Sequence, residues 1–174
     1  DFMKREGIQD LVFSSSCTVY GQPDVLPVTE TTPRKDAESP YGNTKKVCED
    51  ILVDYVKSKA GVRVISLRYF NPVGAHPSAK IGELPNGVPN NLVPFVTQTA
   101  AGLRNKLTVF GNDYDTSDGS CVRDFIHVMD LADAHVKALN YLGEQDANFY
   151  DVFNVGTGHG NTVLEVVETF EKVN

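Results

Sequence analysis

Within the first 70 residues an apolar run, a long amphipathic segment and a second run rich in β-branched residues follow one another. Leu11-Val12-Phe13 reads as a short buried strand that ends in Ser14-Ser15-Ser16. A proline-rich loop follows, through Pro23, Pro27, Pro33 and Pro40, and Pro40 suits the first turn of a helix. The spacing predicts a helix from Tyr41 to Lys59. Val47, Ile51 and Tyr55 form one i, i+4 row, and Cys48, Leu52 and Val56 form the next. This stripe can face the parent sheet, a partner subunit, or both. Gly61 ends the helix, and Val62-Arg63-Val64-Ile65-Ser66-Leu67 begins a strand. Strand, helix and strand in that order are the signature of a parallel α/β sheet. Ligands of such sheets bind outside the carboxyl ends of the strands.

The remainder reads as shorter elements. A Gly/Pro/Asn loop runs from Asn71 to Pro89, long enough to expect function or mobility. Asn90 or Asn91 caps a helix to about Ala101, short strands lie near Leu107–Val109 and Phe125–Val128, and Asp130 caps a helix from Leu131 to Leu142. Val152–Val155 is a last strand before a glycine turn and a final helix. The start resembles the end of a helix, Met3-Lys4-Arg5-Glu6 closed by Gly7, and the last helical pattern is unfinished at Asn174. The expectation is an interior fragment of a longer protein. No internal repeat or low-complexity segment is present.

Composition narrows the function classes. A formal net charge of −7 argues against nucleic acid or an anionic membrane as the main partner. An anionic ligand would need local positive groups. Cys17, Cys48 and Cys121 show neither zinc spacing nor a disulfide framework, which fits a reducing cytosol. His76, His127, His135 and His159 lack partners at metal spacing and read as structural or surface residues.

The chemistry gathers at the strand ends. Tyr41 and Lys45 are four residues apart and share a helix face. An ammonium beside a phenol favours the phenolate, and a serine hydroxyl aimed at the same point can hold a substrate hydroxyl. Such a set can move a proton on or off an alcohol while something else moves a hydride. Taken singly, Y-x-x-x-K also fits an ordinary exposed pair; its context, with the serines and Arg68-Tyr69-Phe70-Asn71 ending strands at the same edge, favours a site. Gly156-Thr157-Gly158-His159-Gly160 looks like a phosphate loop, but the third glycine of G-x-G-x-x-G falls on Asn161, so it reads as a tight turn. Arg123-Asp124 fits a buried ion pair, a surface pair or a phosphate clamp. A serine hydrolase would need G-x-S-x-G, which is absent.

These segments resemble the extended short-chain dehydrogenases/reductases acting on nucleotide sugars, and among them the epimerases that interconvert UDP-glucose and UDP-galactose. The resemblance runs through essentially the whole chain. It rests on Ser14-Ser15-Ser16-Cys17-Thr18-Val19-Tyr20-Gly21, Ser39-Pro40-Tyr41-Gly42-Asn43-Thr44-Lys45, Arg68-Tyr69-Phe70-Asn71-Pro72-Val73-Gly74-Ala75-His76-Pro77, Pro89-Asn90-Asn91-Leu92-Val93-Pro94 and the stretch from Phe110 through Val128. Cys17 and Thr18 stand where dehydratases of the superfamily carry an Asp-Glu pair, and the insertion Asn112–Ser120 is epimerase-like.

The resemblance implies a Rossmann-like parallel sheet, later half, plus part of a smaller α/β substrate domain. Residues 1–70 would be the later part of the NAD-binding domain and 71–174 mostly the UDP-sugar domain, with some segments returning to the sheet. Tyr41 would be the base for the sugar 4-hydroxyl, Lys45 would hold the nicotinamide ribose, and Ser16 would bond the same hydroxyl as Tyr41. Phe70 would lie at the cofactor with those three. Asn71, Asn91 and Arg123 would grip the UDP phosphates, and Leu92, Thr108 and Phe110 would surround the nucleotide. The cofactor would be NAD, no metal is implied, and the setting would be cytoplasmic. The partner would be a second copy, joined through a helical bundle that includes the Tyr41 helix. A decarboxylase or dehydratase of the same superfamily is the alternative, as is a non-catalytic fragment. The family's glycine-rich first turn is not among these residues, so residues 1–174 alone are expected to be inactive.

Overall fold

A computed structural model describes residues 2–174. The chain divides into two compact units, residues 1–70 with 130–155, and residues 71–129 with 156–174. In the first unit a short helix α1 (Phe2–Arg5) leads to β1 (Asp10–Ser14), α2 (Pro40–Lys57) and β2 (Arg63–Tyr69). Strand β5 (Phe149–Val155) returns later in the chain, and the three strands form a parallel sheet in the order β1-β2-β5. The register runs from Asp10 opposite Arg63 to Ser14 opposite Leu67, and from Arg63 opposite Phe149 to Tyr69 opposite Val155.

The central strand explains the β-branched run. Val64 through Arg68 are all buried, as a parallel strand covered on both faces requires. Side chains alternate between faces. Ile65 and Leu67 pack with Ala138 and Leu142 of α4 (Val128–Gly143), while Val62 and Val64 pack with Val56 of α2. Fully burying an aliphatic side chain of this size contributes about 1.5–3 kcal/mol. β1 departs from the expectation of a buried strand. All five of its residues are half-buried, because β1 is an edge of this sheet with one paired neighbour.

Helix α2 starts where its sequence says it should. Ser39 is the N-cap and accepts from Gly42 N at 3.1 Å, with Pro40 in the first turn. It ends at Lys57, two residues early, because Lys59 takes a left-handed conformation (φ 58°) ahead of Gly61. Its apolar stripe is divided. Leu52, Tyr55 and Val56 pack on the sheet, whereas Val47 and Ile51 stay 46% and 61% exposed.

In the second unit β3 (Asn71–Val73) pairs parallel with β4 (Val122–His127), which pairs antiparallel with β6 (Gly160–Thr162). The long loop therefore begins only after a strand. Helix α3 (Leu92–Ala100) follows Asn91 as expected, but the expected strand near Leu107–Val109 is irregular chain without ladder partners. Asp130 lies inside the first turn of α4 rather than capping it, since that helix begins directly at Val128 after β4. Helix α5 (Val163–Val173) is closed by a capping box between Thr162 and Glu165.

The insertion before β4 is tied down through Asp118. Its carboxylate accepts from Thr162 Oγ1 at 2.5 Å and from Ser120 N and Oγ at 2.8 Å each. The Thr162 bond is the largest cause, and together with the Ser120 bonds it holds this carboxyl below the ordinary aspartate range against the opposing effect of desolvation. The depressed folded value means that this stabilisation is full above the unfolded carboxyl's pKa of about 3.9 and is lost as pH falls through the lower folded value. Asp118→Asn should therefore lower the melting temperature near neutral pH, with the gap to the unsubstituted protein closing on acidification. A gap independent of pH in a thermal-melt series would contradict this role.

Candidate active site

The first unit assembles one cluster of polar groups where β1 ends. Ser15 N donates to Leu67 O at 2.9 Å, so the chain beyond β1 stays stitched to β2. Ser16 is the N-cap of a 3₁₀ turn, Cys17–Tyr20. Its Oγ accepts from Thr18 N at 3.2 Å and from Thr18 Oγ1 at 3.0 Å. The first turn of α2 rests on the same threonine. A Cβ on Gly42 would lie 3.2 Å from Thr18 O and 3.3 Å from Thr18 Cβ, so only glycine lets the helix come this near without displacement. Lys45 Nζ donates to Ser14 O at 2.8 Å and lies 5.5 Å from the centroid of the Tyr41 ring and 5.2 Å from that of Phe13. Tyr41 is 51% exposed, open to a ligand. Phe70 follows β2, its N–H on Val155 O. His135, read as structural, bonds Ser14 Oγ through Nε2 at 3.0 Å; its Nδ1 faces Leu131 O at 2.8 Å and so carries the proton.

Behind these groups lies a charged network that sequence reasoning missed. Glu49 is fully buried and Arg68 is 5% exposed. Arg68 grips Glu49 with two donors along one edge of its guanidinium, Nε to Oε1 at 2.9 Å and Nη2 to Oε2 at 2.6 Å. Ser15 Oγ donates to Glu49 Oε1 at 2.5 Å, and Arg34 Nη1 to Oε2 at 3.2 Å. Arg68 Nη1 donates to Tyr20 OH at 3.1 Å, and Tyr20 OH to Asn154 Oδ1 at 2.6 Å. Burial pulls the Arg68 proton affinity down, but the bonds to Glu49 and Tyr20 outweigh it and hold the guanidinium above its ordinary value. The available signals were a charged residue inside a β-branched strand and Glu49 lying one heptad from Gly42 and from Val56, all three buried on α2.

The second unit has its own groove, about 200 Å³ in volume, lined among others by Asn71, Asn91, Leu92, Cys121 and Arg123. Four residues expected on the nucleotide side thus share one surface. Asn91 takes the N-cap position of α3 as expected, but its side chain makes no capping bond and donates instead to Glu83 at 2.8 Å. Thr108 and Phe110 are not part of the groove and lie on exposed irregular chain, Phe110 at 84%. Arg123 and Asp124 form neither version of the expected ion pair. Arg123 Nη1 donates to Val122 O at 2.7 Å, while the Asp124 carboxylate accepts from Thr157 N, Thr157 Oγ1 and Gly158 N at 2.8–3.0 Å. The glycine turn that looked like a phosphate loop thus directs two of its N–H groups, those of Thr157 and Gly158, to a carboxylate of this chain. Among the described residues no group of three His, Cys, Asp or Glu side chains is arranged to hold a metal.

Residues 1–156 match the family model described as the NAD dependent epimerase/dehydratase family. The chain belongs to that family. It is 51% identical over 170 residues to UDP-glucose 4-epimerase of Erwinia amylovora, covering 98% of this chain and 50% of that relative. It is 55% identical over 172 residues to UDP-glucose 4-epimerase 2 of Arabidopsis thaliana, covering 99% and 49%. A solved UDP-glucose 4-epimerase of Stenotrophomonas maltophila, with bound NAD and formylated UDP-arabinopyranose, superposes with a TM-score of 0.93 at 51% identity, covering 99% of this chain and 50% of that one. The enzyme of Bifidobacterium longum in complex with NAD+ and UDP gives 0.92 at 46% identity, covering 98% and 50%. The chain spans about half the length of the curated relatives it matches.

The Asp124 contacts can be tested apart from catalysis. Charge-assisted hydrogen bonds are worth about 1.5–3 kcal/mol each at best and less where exposed. Asp124→Ala should speed amide exchange at Thr157 and Gly158 about 5-fold or more, the equivalent of ~1 kcal/mol, and leave β2 unaffected. Unchanged protection at both amides would show that the turn does not depend on this carboxylate.

Proposed function

We propose that the protein interconverts UDP-glucose and UDP-galactose by epimerisation at C4 through a transient 4-keto sugar, with NAD held by the enzyme. The observation that carries this reading is the Lys45 ammonium, set between the Ser14 carbonyl and the Tyr41 ring at the end of β1. Identity of 51–55% to proteins named UDP-glucose 4-epimerase over nearly all of the chain supports it. So does the fate of Thr18. It stands where a dehydratase would carry an acid, and its hydroxyl donates to Ser16.

Each residue then has a task. Tyr41 takes the proton of the sugar 4-hydroxyl and returns it. Ser16, with its oxygen accepting from Thr18, has its own proton to offer the sugar O4. The donor set suits the cofactor's ribose, because Lys45 uses one of three N–H donors on Ser14 O and has the others for vicinal hydroxyls. NAD, when bound, takes up the C4 hydride and gives it back. Phe70 would offer its ring at the nicotinamide end. Asn71, Asn91, Leu92 and Arg123 would hold the nucleotide diphosphate, with Thr108 and Phe110 near the uracil. Gripping the nucleotide rather than the sugar leaves the keto sugar free to present its other face, and remote binding energy serves the chemical step. In keeping with this division of labour, residues 1–70 would belong to the NAD domain and 71–174 mostly to the UDP-sugar domain.

Exposed Val47 and Ile51 on α2 favour a homodimer through that helix. A cytoplasmic setting accords with the cysteine usage, and among the described residues no helix is long and apolar enough to cross a membrane. Ile51→Glu in the full-length protein should shift sedimentation toward monomer; an unchanged dimer would place the interface elsewhere.

Product analysis with UDP-galactose tests the activity. UDP-glucose is expected, whereas a 4-keto-6-deoxy sugar or a pentose would make the enzyme a dehydratase or decarboxylase. In the full-length protein Tyr41→Phe should lower kcat by about 10²- to 10⁴-fold without unfolding it, as loss of a general acid-base does. Near-normal turnover would remove Tyr41 from the mechanism.

A further inference from the structure

We infer that Glu49, paired with Arg68, is a positioning residue that sets Ser16 against the Tyr41–Lys45 turn; this rests on the catalytic reading above. Glu49 lies two turns past Tyr41 on the same helix and is fully buried, so it can touch neither a sugar nor a dinucleotide. Two of its three partners, Ser15 and Arg68, belong to segments that carry the reaction; the third, Arg34, reaches it from the loop before α2. Ser15, whose hydroxyl it accepts at 2.5 Å, is the immediate neighbour of Ser16. Arg68 lies one residue before the end of the strand that runs into Phe70, and its Nε–Nη2 edge is bonded to both oxygens of Glu49. Through Nη1 the same guanidinium holds Tyr20, the last residue of the turn that Ser16 caps. One carboxylate therefore ties the helix of Tyr41 to both ends of the segment Ser15–Tyr20.

Such a cluster is poorly explained by stability alone. Desolvating two charges offsets most of their attraction, and apolar residues of equal volume often hold a fold as well or better. What an apolar pair lacks is direction. Dispersion contacts tolerate sliding by a few tenths of an ångström, whereas a bidentate guanidinium–carboxylate pair with a third donor on the carboxylate has one geometry. Misplacing a catalytic group by about 1 Å can cost about 10²-fold in rate. The nucleotide groove lies in the other unit and shares no residue with this network. Loss of the network should therefore appear in kcat and not in KM.

The experiment uses the full-length protein with its bound NAD and UDP-galactose as substrate. The double variant Glu49→Met/Arg68→Met removes both charges at similar volume. It should melt within a few degrees of the unsubstituted protein, with kcat lowered about 10-fold or more and KM within about 2-fold. Ser15→Ala keeps the ion pair and removes only the tie to the serine segment. It should stay folded, with a lowered melting temperature, and lower kcat about 3-fold or more at unchanged KM, and it decides the matter if the double variant fails to fold. Wild-type kcat in either variant that folds overturns the inference, as does a KM that rises in step with the loss of rate. Tyr41→Phe run alongside separates the two levels: if it retains turnover, the catalytic reading itself falls and this inference with it. If it is inactive while Ser15→Ala is normal, only the positioning role is lost.

Discussion

A carboxylate and a guanidinium withdrawn from water must find protein partners, and in this chain meeting that demand joins five stretches of sequence. Glu49 from α2, Arg68 from β2, Ser15 and Tyr20 from the chain after β1, Arg34 from the loop before α2, and Asn154 from β5 meet in one hydrogen-bonded series. No buried side-chain nitrogen or oxygen among the described residues is left without a partner. Because the cost of an unpaired buried charge is several kcal/mol, the helix cannot slide along the sheet without breaking the pair. The apolar contacts of Val56 with Val62 and Val64 supply adhesion, and the charges supply register.

The same unit is built to bring strand ends to one edge. β1 and β2 run parallel with Ser14 opposite Leu67, so the serines and the Arg68–Phe70 segment emerge together. Helix α2 returns the chain between them, with Gly42 seated on Thr18 and Lys45 bonded to Ser14 O. Under the proposed function, chemistry at this edge and a nucleotide gripped by the other unit would suit a reaction whose intermediate must turn over while remaining tethered.

The second unit shows how one local pattern can serve an opposite end. A glycine-rich turn between strand and helix offers N–H groups that favour an anion. Here the anion is the Asp124 side chain, three bonds deep, and Arg123 beside it remains a neighbour of the groove. Asp118 does similar work for the insertion, joining it to the capped start of α5. Two internal carboxylates thus organise the loops of this unit.

Local signals in the sequence were sufficient for the parallel strand–helix–strand order, the proline-led start of α2 and the α3, α4 and α5 helices. Periodicity, caps and β-branched runs depend on neighbours along the chain. The helix bearing Tyr41 and Lys45 was legible for that reason, and so was the turn character of Gly156–Gly160. Leu107–Val109 was misread because an apolar triplet becomes a strand only when a partner strand is available, and none pairs there. β3 was missed because three residues with a proline carry no periodicity. The half-burial of β1 follows from its position in the sheet and not from its composition. The pairing of Glu49 with Arg68, nineteen residues apart, and of Asp124 with Thr157, thirty-three apart, was decided by tertiary structure alone. A carboxylate's spacing in sequence does not say which distant donor will reach it once water is excluded.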